Sequence, residues 1–249
     1  MADVVFIHAG IADARMWAPQ QRSFAPAHRV LAPDLPGFGT APYDSDVVDY
    51  RASVRDAMDT AGMQRAALVG TSLGGTVALG IALESPERVS ALVLVDAGID
   101  DHERSSELEE LDALETEAFE QGDFDAAADS QLVWVTGPGR SRAAVDPEIL
   151  DLVATMQRNV YELQEGYDNI VMRRLDPPAS RRLGEIRVPT LVVTGGEDFA
   201  EFQRIGDRLA AEIPGARRVT IAAAGHLPSL EQPEEFDRVV LGFLEEHGV

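Results

Sequence analysis

The chain has 249 residues, of which 45% are hydrophobic and 26% charged, a balance typical of a soluble globular protein. Its net charge is -22 and all 21 basic residues are arginine, so its acidic surface should repel nucleic acid and anionic membranes. The absence of cysteine excludes disulfides and thiolate chemistry. The five histidines do not have metal-ligand spacing, so we expect no metal and no cofactor.

The N-terminal residues have neither the basic segment nor the long apolar segment of a signal peptide. No stretch approaches the roughly 20 consecutive apolar residues of a membrane span. We therefore expect a cytoplasmic protein, as a monomer or a homodimer, without nucleic-acid or membrane partners.

Short apolar runs alternate with longer amphipathic segments along the chain. The runs cover residues 4–7, 29–32, 66–69, 91–95, 190–193 and 218–221. They are continuous rather than alternating, as expected for parallel strands buried on both faces. Helical spacing predicts helices over residues 47–61, 72–83, 202–211 and 236–243. This order predicts an α/β fold, with a mostly parallel sheet of about six strands and helices on both faces.

Residues 99–187 interrupt this rhythm and contain no convincing strand. Apolar residues mark one acidic helix from Leu108 to Phe119 and another that starts near Ile149. We therefore expect a core domain formed by residues 1–98 and 188–249. Residues 99–187, called the insertion below, are expected to form a helical cap over the end of the sheet.

The pentapeptide at residues 70–74, GTSLG, has the pattern G-x-S-x-G between a predicted strand and a predicted helix. Its two glycines allow a sharp backbone turn that exposes the serine hydroxyl above the sheet. A phosphate-binding loop would need a lysine, which the chain lacks, and a dinucleotide fingerprint would need a different glycine spacing. The context therefore favours Ser72 as a nucleophile.

A serine hydroxyl reacts only when a base takes its proton, and the base needs an acid to orient it. His226 follows the last predicted strand and is the candidate base. Asp198 follows the fifth strand, which gives the chain order serine, aspartate, histidine. Glu197, its neighbour, and Asp96, at the end of the fourth strand, remain alternatives for the acid.

The reaction of Ser72 with a carbonyl would create an oxyanion, which needs hydrogen-bond donors already in place. One donor is expected to be the backbone N–H of Leu73, and the other an N–H of the turn after the first strand, residues 8–10. We expect the His8 ring to tie this turn together and Trp17 to pack beneath it.

Five ordered motifs give the sequence a resemblance to the α/β-hydrolase superfamily over nearly its whole length. They are the turn at His8 with Trp17 nine residues later, residues 34–39 (DLPGFG), 70–75 (GTSLGG), 195–198 (GGED) and 225–226 (GH). The branch that it most resembles contains small esterases, enol-lactonases of the 3-oxoadipate type, perhydrolases and carbon–carbon bond hydrolases. The resemblance implies triad roles for Ser72, Asp198 and His226, and it assigns the second oxyanion-hole N–H to Gly10.

Two features depart from the family pattern. Ala9 stands where relatives usually have glycine, and its methyl group is tolerable unless the position needs a positive φ. The family's leading antiparallel hairpin is expected to be missing, which leaves six strands. Relatives that dehalogenate or open epoxides use an aspartate nucleophile, and Ser72 argues against both activities.

The expected function is a serine hydrolase that cleaves small-molecule esters or lactones of small to medium acids through an acyl-enzyme. Alternatives are a carbon–carbon bond hydrolase or a cofactor-free perhydrolase with the same triad, and a non-catalytic receptor that holds a small ligand. Five residues of the insertion are candidates either to line the substrate site or simply to pack: Trp134, Met156, Tyr161, Tyr167 and Met172. Arg140, Arg142 or Arg158 could meet a single substrate carboxylate, but each is expected to be a solvated surface residue.

Overall fold

The computed structural model describes residues 1–100, 104–167 and 169–249. Its strands are β1 (Ala2–Ile7), β2 (His28–Leu31), β3 (Val47–Val48), β4 (Ala66–Thr71), β5 (Val89–Val95), β6 (Val171–Met172), β7 (Thr190–Gly195) and β8 (Arg217–Ile221). Six of them form one sheet in the order β2-β1-β4-β5-β7-β8, and every neighbouring pair is parallel. The predicted six-stranded parallel sheet is therefore confirmed.

Helices surround this sheet and fill the insertion. In the described chain they are α1 (Ala18–Phe24), α2 (Tyr50–Thr60), α3 (Leu73–Glu84), α4 (Ser106–Glu120), α5 (Phe124–Ser130), α6 (Leu132–Thr136), α7 (Pro147–Gln164), α8 (Ala200–Glu212), α9 (Pro228–Glu231) and α10 (Pro233–Glu246). Helices α4 to α7 all lie between β5 and β7 in the chain. Of the helices that the structure describes, none is both long and apolar enough to span a bilayer.

The apolar run of β5 shows why the central strands are continuously hydrophobic. Leu92 and Leu94 belong to a core formed with α2, α3 and α8, whereas Val93 and Val95 belong to a second core with α1 and α10. Successive side chains of a strand point to opposite faces, so both faces of the sheet are covered. The predicted helices on both faces are confirmed.

The first helix and the insertion differ from the sequence prediction. The helix predicted over residues 47–61 begins only at Tyr50, because the Asp49 side chain caps it by accepting hydrogen bonds from the N–H groups of Arg51 and Ala52. Val47–Val48 instead forms a two-residue strand parallel to Val171–Met172. The prediction that the insertion contains no strand is therefore wrong. A strand of two residues is too short to show the alternating pattern by which a strand is recognised in a sequence.

Four of the acidic, basic and nucleophilic residues singled out in the sequence follow four adjacent strands of the sheet. Ser72 comes after β4, Asp96 after β5, Asp198 after β7 and His226 shortly after β8. Because all these strands are parallel, their carboxyl ends lie at the same edge. This edge is the candidate site.

Candidate active site

Ser72 lies at a strained turn between β4 and α3. Its φ of 53° and ψ of -114° are unusual for a residue with a side chain, and its N–H donates to the carbonyl of Val95 at 2.9 Å. The flanking glycines are required by close approach: a Cβ on Gly74 would lie 2.1 Å from the Ile7 carbonyl oxygen, and one on Gly70 would lie 2.2 Å from the Gly74 oxygen. The turn is therefore held by contacts on both sides.

His226 and Asp198 form a buried hydrogen-bonded pair. His226 Nδ1 lies 2.7 Å from Asp198 Oδ2, and the side chains are 2% and 0% exposed. The other oxygen of Asp198 accepts the N–H of Phe199 at 2.8 Å. Glu197 is exposed and only its backbone N–H faces this region, where it donates to the Ala224 carbonyl. Of the two neighbouring acids, the geometry brings Asp198 to the histidine.

Aromatic rings and a backbone contact hold the His226 imidazole from the other side. Its ring centre lies 4.5 Å from that of Phe202 and 4.8 Å from that of Trp134. The His226 N–H also donates to the Trp134 carbonyl oxygen at 3.1 Å, and the indole N–H donates to Gln131. Trp134 therefore positions the histidine. Phe202 was missed in the sequence, although its place four residues after Asp198 at the start of a helix is a usable signal.

Ser72 and His226 are not joined by a hydrogen bond within the described residues. The Nδ1 atom of His226 is committed to Asp198, so Nε2 is the ring atom left to meet a hydroxyl group. Catalytic hydrogen bonds are often long in unliganded enzymes and tighten when substrate binds. The arrangement is therefore compatible with proton transfer from Ser72 to His226.

Asp96 is a second buried acid beside the pair. It is 1% exposed, and its oxygens accept the Gly195 N–H at 2.9 and 3.1 Å. Burial, and next the nearby Asp198 carboxylate, raise the pKa of Asp96 well above its usual value. Asp96, Asp198 and His226 each have one potential metal-ligand atom, and these three atoms lie within 4.8 Å of one another. The carboxylate oxygens of Asp96 and Asp198 already accept hydrogen bonds from N–H groups, which favours a hydrogen-bonded cluster over a cation site.

The turn after β1 lies against the residue that follows Ser72. A Cβ added to Gly10 would contact the Leu73 side chain at 3.8 Å. The hydrogen bonds of the described chain use neither the Gly10 N–H nor the Leu73 N–H. Ala9 is not among the described residues with a positive φ, so its methyl group is accommodated without backbone strain. Two unused N–H donors thus lie close to Ser72 in the described structure.

The His8 ring ties this turn to the loop after β2. Its Nε2 accepts the Leu35 N–H at 2.9 Å, so Nδ1 carries the proton and donates to the Ala9 carbonyl, also at 2.9 Å. Burial lowers the pKa of His8, which favours this neutral form. Trp17 is fully buried and packs on Phe6 with ring centres 4.8 Å apart. Both residues have the structural positions expected from the sequence.

A cavity of 430 Å³ lies next to the turn that carries Ser72. Leu73 and Thr76 of α3 form one wall, and Met172 and Leu175 of the insertion form another. Of the five candidate lining residues, Met172 is thus the one that borders this cavity. Leu73, the residue after Ser72, is thus shared between the strained turn and the cavity lining.

The other candidate lining residues contact the insertion or the loop after β2. Met156 is fully buried in the core that includes α7. The Tyr161 hydroxyl donates to Glu115 at 2.7 Å, and its ring packs with Phe119. Tyr167 is 41% exposed and packs against Tyr43. These contacts favour packing over substrate binding at the three positions.

Arg140 forms hydrogen bonds that hold the loop carrying His226, so the expectation that Arg140 is solvated is wrong. Its guanidinium donates to Glu231 at 2.7 Å and to the carbonyl oxygens of Val135 and Ala223, and its side chain is only 15% exposed. Glu231 in turn accepts the N–H of Gly225, the residue before His226, at 2.7 Å. An insertion residue therefore fixes the histidine loop of the core.

Replacing Arg140 by methionine is expected to lower the free energy of unfolding by about 3–5 kcal/mol, because it leaves the buried Glu231 carboxylate unpaired. The double variant with Glu231→Gln should recover part of this loss. Arg142→Met is the matched control: its pair with Asp129 is about half exposed, so a loss of about 0–1 kcal/mol is expected. Urea unfolding of the wild type, the two single variants and the double variant measures these differences. Equal losses of stability in the Arg140 and Arg142 variants would contradict the role of Arg140 in holding the histidine loop.

The model of the alpha/beta hydrolase family matches residues 4–239. A carboxylesterase of Bacillus subtilis is 28% identical over 97% of this chain and 79% of its own length. The 2-hydroxy-6-oxononadienedioate/2-hydroxy-6-oxononatrienedioate hydrolase of Burkholderia vietnamiensis is 31% identical over 97% of this chain and 86% of its own.

Among solved structures, Est816, described as an N-acyl homoserine lactone degrading enzyme, superposes with a TM-score of 0.74. It is 26% identical, and the match covers 98% of this chain and 93% of that one. Together with the parallel sheet and the site at its edge, these similarities define the class of the protein as a hydrolytic enzyme. The chain belongs to the alpha/beta hydrolase family.

Proposed function

We propose that the protein is a serine hydrolase that cleaves carboxylic esters or lactones of small to medium acids through an acyl-enzyme on Ser72. The observation that carries the proposal is the buried hydrogen bond of 2.7 Å between His226 and Asp198, at the same sheet edge as the strained Ser72 turn. This is the arrangement that a serine nucleophile, its base and an orienting acid need.

In the proposed reaction, the Ser72 oxygen attacks the substrate carbonyl carbon while His226 Nε2 takes the hydroxyl proton. Asp198 holds the proton on Nδ1 and stabilises the imidazolium that forms. The N–H groups of Gly10 and Leu73 donate to the oxyanion. The imidazolium then gives its proton to the leaving alkoxide as the C–O bond breaks. In the second half-reaction His226 takes a proton from water, whose oxygen bonds to the acyl carbon, and His226 returns the proton to the Ser72 oxygen as the acyl bond to Ser72 breaks and the acid leaves.

The cavity beside Leu73 is the proposed site for one side group of the substrate. Its lining combines apolar side chains, including Val77 and Ile99, with charged ones, including Arg51 and Arg173. A volume of 430 Å³ lies in the range of small-molecule sites, which fits a substrate group of small to medium size. The insertion, residues 99–187, supplies one wall through Met172 and is the proposed cap. A cytoplasmic location and a monomeric or dimeric state stay predictions.

A carbon–carbon bond hydrolase is the second candidate function. The relative with 31% identity is named for substrates that carry an oxo group rather than an ester, and the same base and nucleophile could serve cleavage beside a ketone. The ester and carbon–carbon candidates differ in the bond that breaks, so matched substrates separate them. The relatives reported above are named as enzymes, which leaves the receptor alternative without support from them.

The test is a panel of p-nitrophenyl esters and lactones of graded chain length, with a β-diketone panel in parallel. We expect kcat/KM to be highest for short and medium acids and to fall for long chains, because the cavity limits the length. Ser72→Ala protein controls for background hydrolysis. Turnover of β-diketones with no turnover of esters or lactones would overturn the proposal in favour of the second candidate.

A further inference from the structure

Asp96 is a buried acid for which the proposed reaction has no use. Its side chain is inaccessible, its carboxyl group faces that of Asp198, and it has no contact with the cavity beside Leu73 among the described residues. With Ser72, it is one of the two described non-glycine residues with a positive φ, at 39°. Strained residues persist where surrounding contacts over-determine them, often at functional sites.

The carboxyl groups of Asp96 and Asp198 face each other in the buried cluster, where one oxygen of each lies within 4.8 Å of the other. Two ionised carboxylates this close in a buried site would repel each other strongly. Asp198 already accepts two N–H groups, from Phe199 and His226, as a carboxylate does. The proton that removes the repulsion therefore belongs on Asp96, which can accept the Gly195 N–H with one oxygen and donate from the other.

We propose that Asp96 is a positioning residue, whose protonated carboxyl group donates a hydrogen bond to Asp198 and so fixes the acid that orients His226. The expected effect of this hydrogen bond on kcat rests on the proposed function, whereas the hydrogen bond itself does not. The charged groups that face Asp96 from packed elements are Asp198 after β7, His226 after β8 and Arg218 on β8. Arg218 favours the ionised form of Asp96, but its guanidinium is engaged with Thr194 and Gln203, and burial outweighs it.

Asp96→Asn is the decisive variant, because asparagine has the shape of the protonated acid. Its NH₂ group can donate to Asp198 and its oxygen can accept the Gly195 N–H. We expect kcat to stay within about twofold of wild type at pH 7, whereas Asp96→Ala, which leaves Asp198 without this donor, should lower kcat roughly tenfold or more at little change in KM. Equal losses in both variants, or none in Asp96→Ala, would overturn the proposal.

The stability of the same variants tests the proton without any use of activity. At pH values between the usual pKa of an unfolded aspartate and the raised pKa of Asp96, Asp96 carries a proton in the folded state but not in the unfolded state. The free energy of unfolding of the wild type therefore falls as the pH rises through this range. The asparagine side chain of the Asp96→Asn variant does not titrate. The unfolding equilibrium constant of wild type relative to that of Asp96→Asn should therefore grow between pH 5 and 8, by up to about tenfold per pH unit.

Glu197→Gln serves as the control in that titration, because it removes one exposed carboxylate from the neighbouring loop and corrects for the change in net charge. A ratio for Asp96→Asn that stays flat between pH 5 and 8 would mean that Asp96 is ionised throughout, which overturns the proposal. This outcome is distinct from a failure of the proposed function, in which no variant or wild type hydrolyses any ester but the pH dependence of stability remains.

Discussion

Replacing Ser72 by alanine is expected to lower kcat for the best ester substrate by about 10⁴-fold to 10⁶-fold, because the acyl-enzyme can no longer form. Alanine keeps a Cβ at the same strained φ of 53°, so the fold and substrate affinity should change little. Steady-state kinetics, with KM or inhibitor binding as the check on the fold, measures the effect.

Ser85→Ala is the matched control, since Ser85 follows the other end of α3 and lies outside the site. It should retain wild-type kcat. A Ser72→Ala protein that retains more than about a tenth of wild-type kcat would contradict the nucleophile assignment, because a triad serine contributes several orders of magnitude.

Asp198→Asn is expected to lower kcat by about 10⁴-fold, through the wrong tautomer of His226. In the wild type, Asp198 Oδ2 accepts from Nδ1 and leaves Nε2 to act as the base. An asparagine in its place can present its NH₂ group to Nδ1, which then favours a proton on Nε2 and removes the base. The side chain is fully buried, so water cannot restore the lost hydrogen bond.

The three acids at this edge separate in the same experiment. Glu197→Gln should leave kcat unchanged because its side chain is exposed, and Asp96→Asn should leave it within about twofold. Urea unfolding of each variant excludes a loss of fold as the cause. A larger loss for Glu197→Gln than for Asp198→Asn would show that the histidine is oriented by the neighbouring acid instead.

The sequence predicted the sheet because its strands are continuously apolar. The runs at residues 4–7, 66–69 and 91–95 contain no polar residue, so they could not be confused with an amphipathic helix. The glycines of the GTSLG turn are required because a Cβ at Gly74 or Gly70 would lie only 2.1 or 2.2 Å from a backbone oxygen. Ser72, Asp198 and His226 could be predicted to meet because each of them follows a recognisable strand of this parallel sheet. These features are local, so the sequence shows them directly.

Tertiary contacts account for what the sequence did not predict. The pairing of Val47–Val48 with Val171–Met172 joins segments that are distant in the chain, and no local pattern marks it. Arg140 was misread for the same reason, since its burial depends on Glu231, 91 residues further on. Asp96 was considered only as a rival of Asp198, and the contact between the two carboxyl groups appears only when β5 and β7 pair.

The central claim, that Ser72 is an activated nucleophile, is tested most directly by labelling the folded protein with a fluorophosphonate. We predict one adduct, on Ser72, found by mass spectrometry of peptides, with labelling greatly slowed in Asp198→Asn and absent in Ser72→Ala. The probe reports activation of the hydroxyl whatever the natural substrate is. No adduct on Ser72 in folded wild type, or an adduct on another serine at a similar rate, would contradict the account.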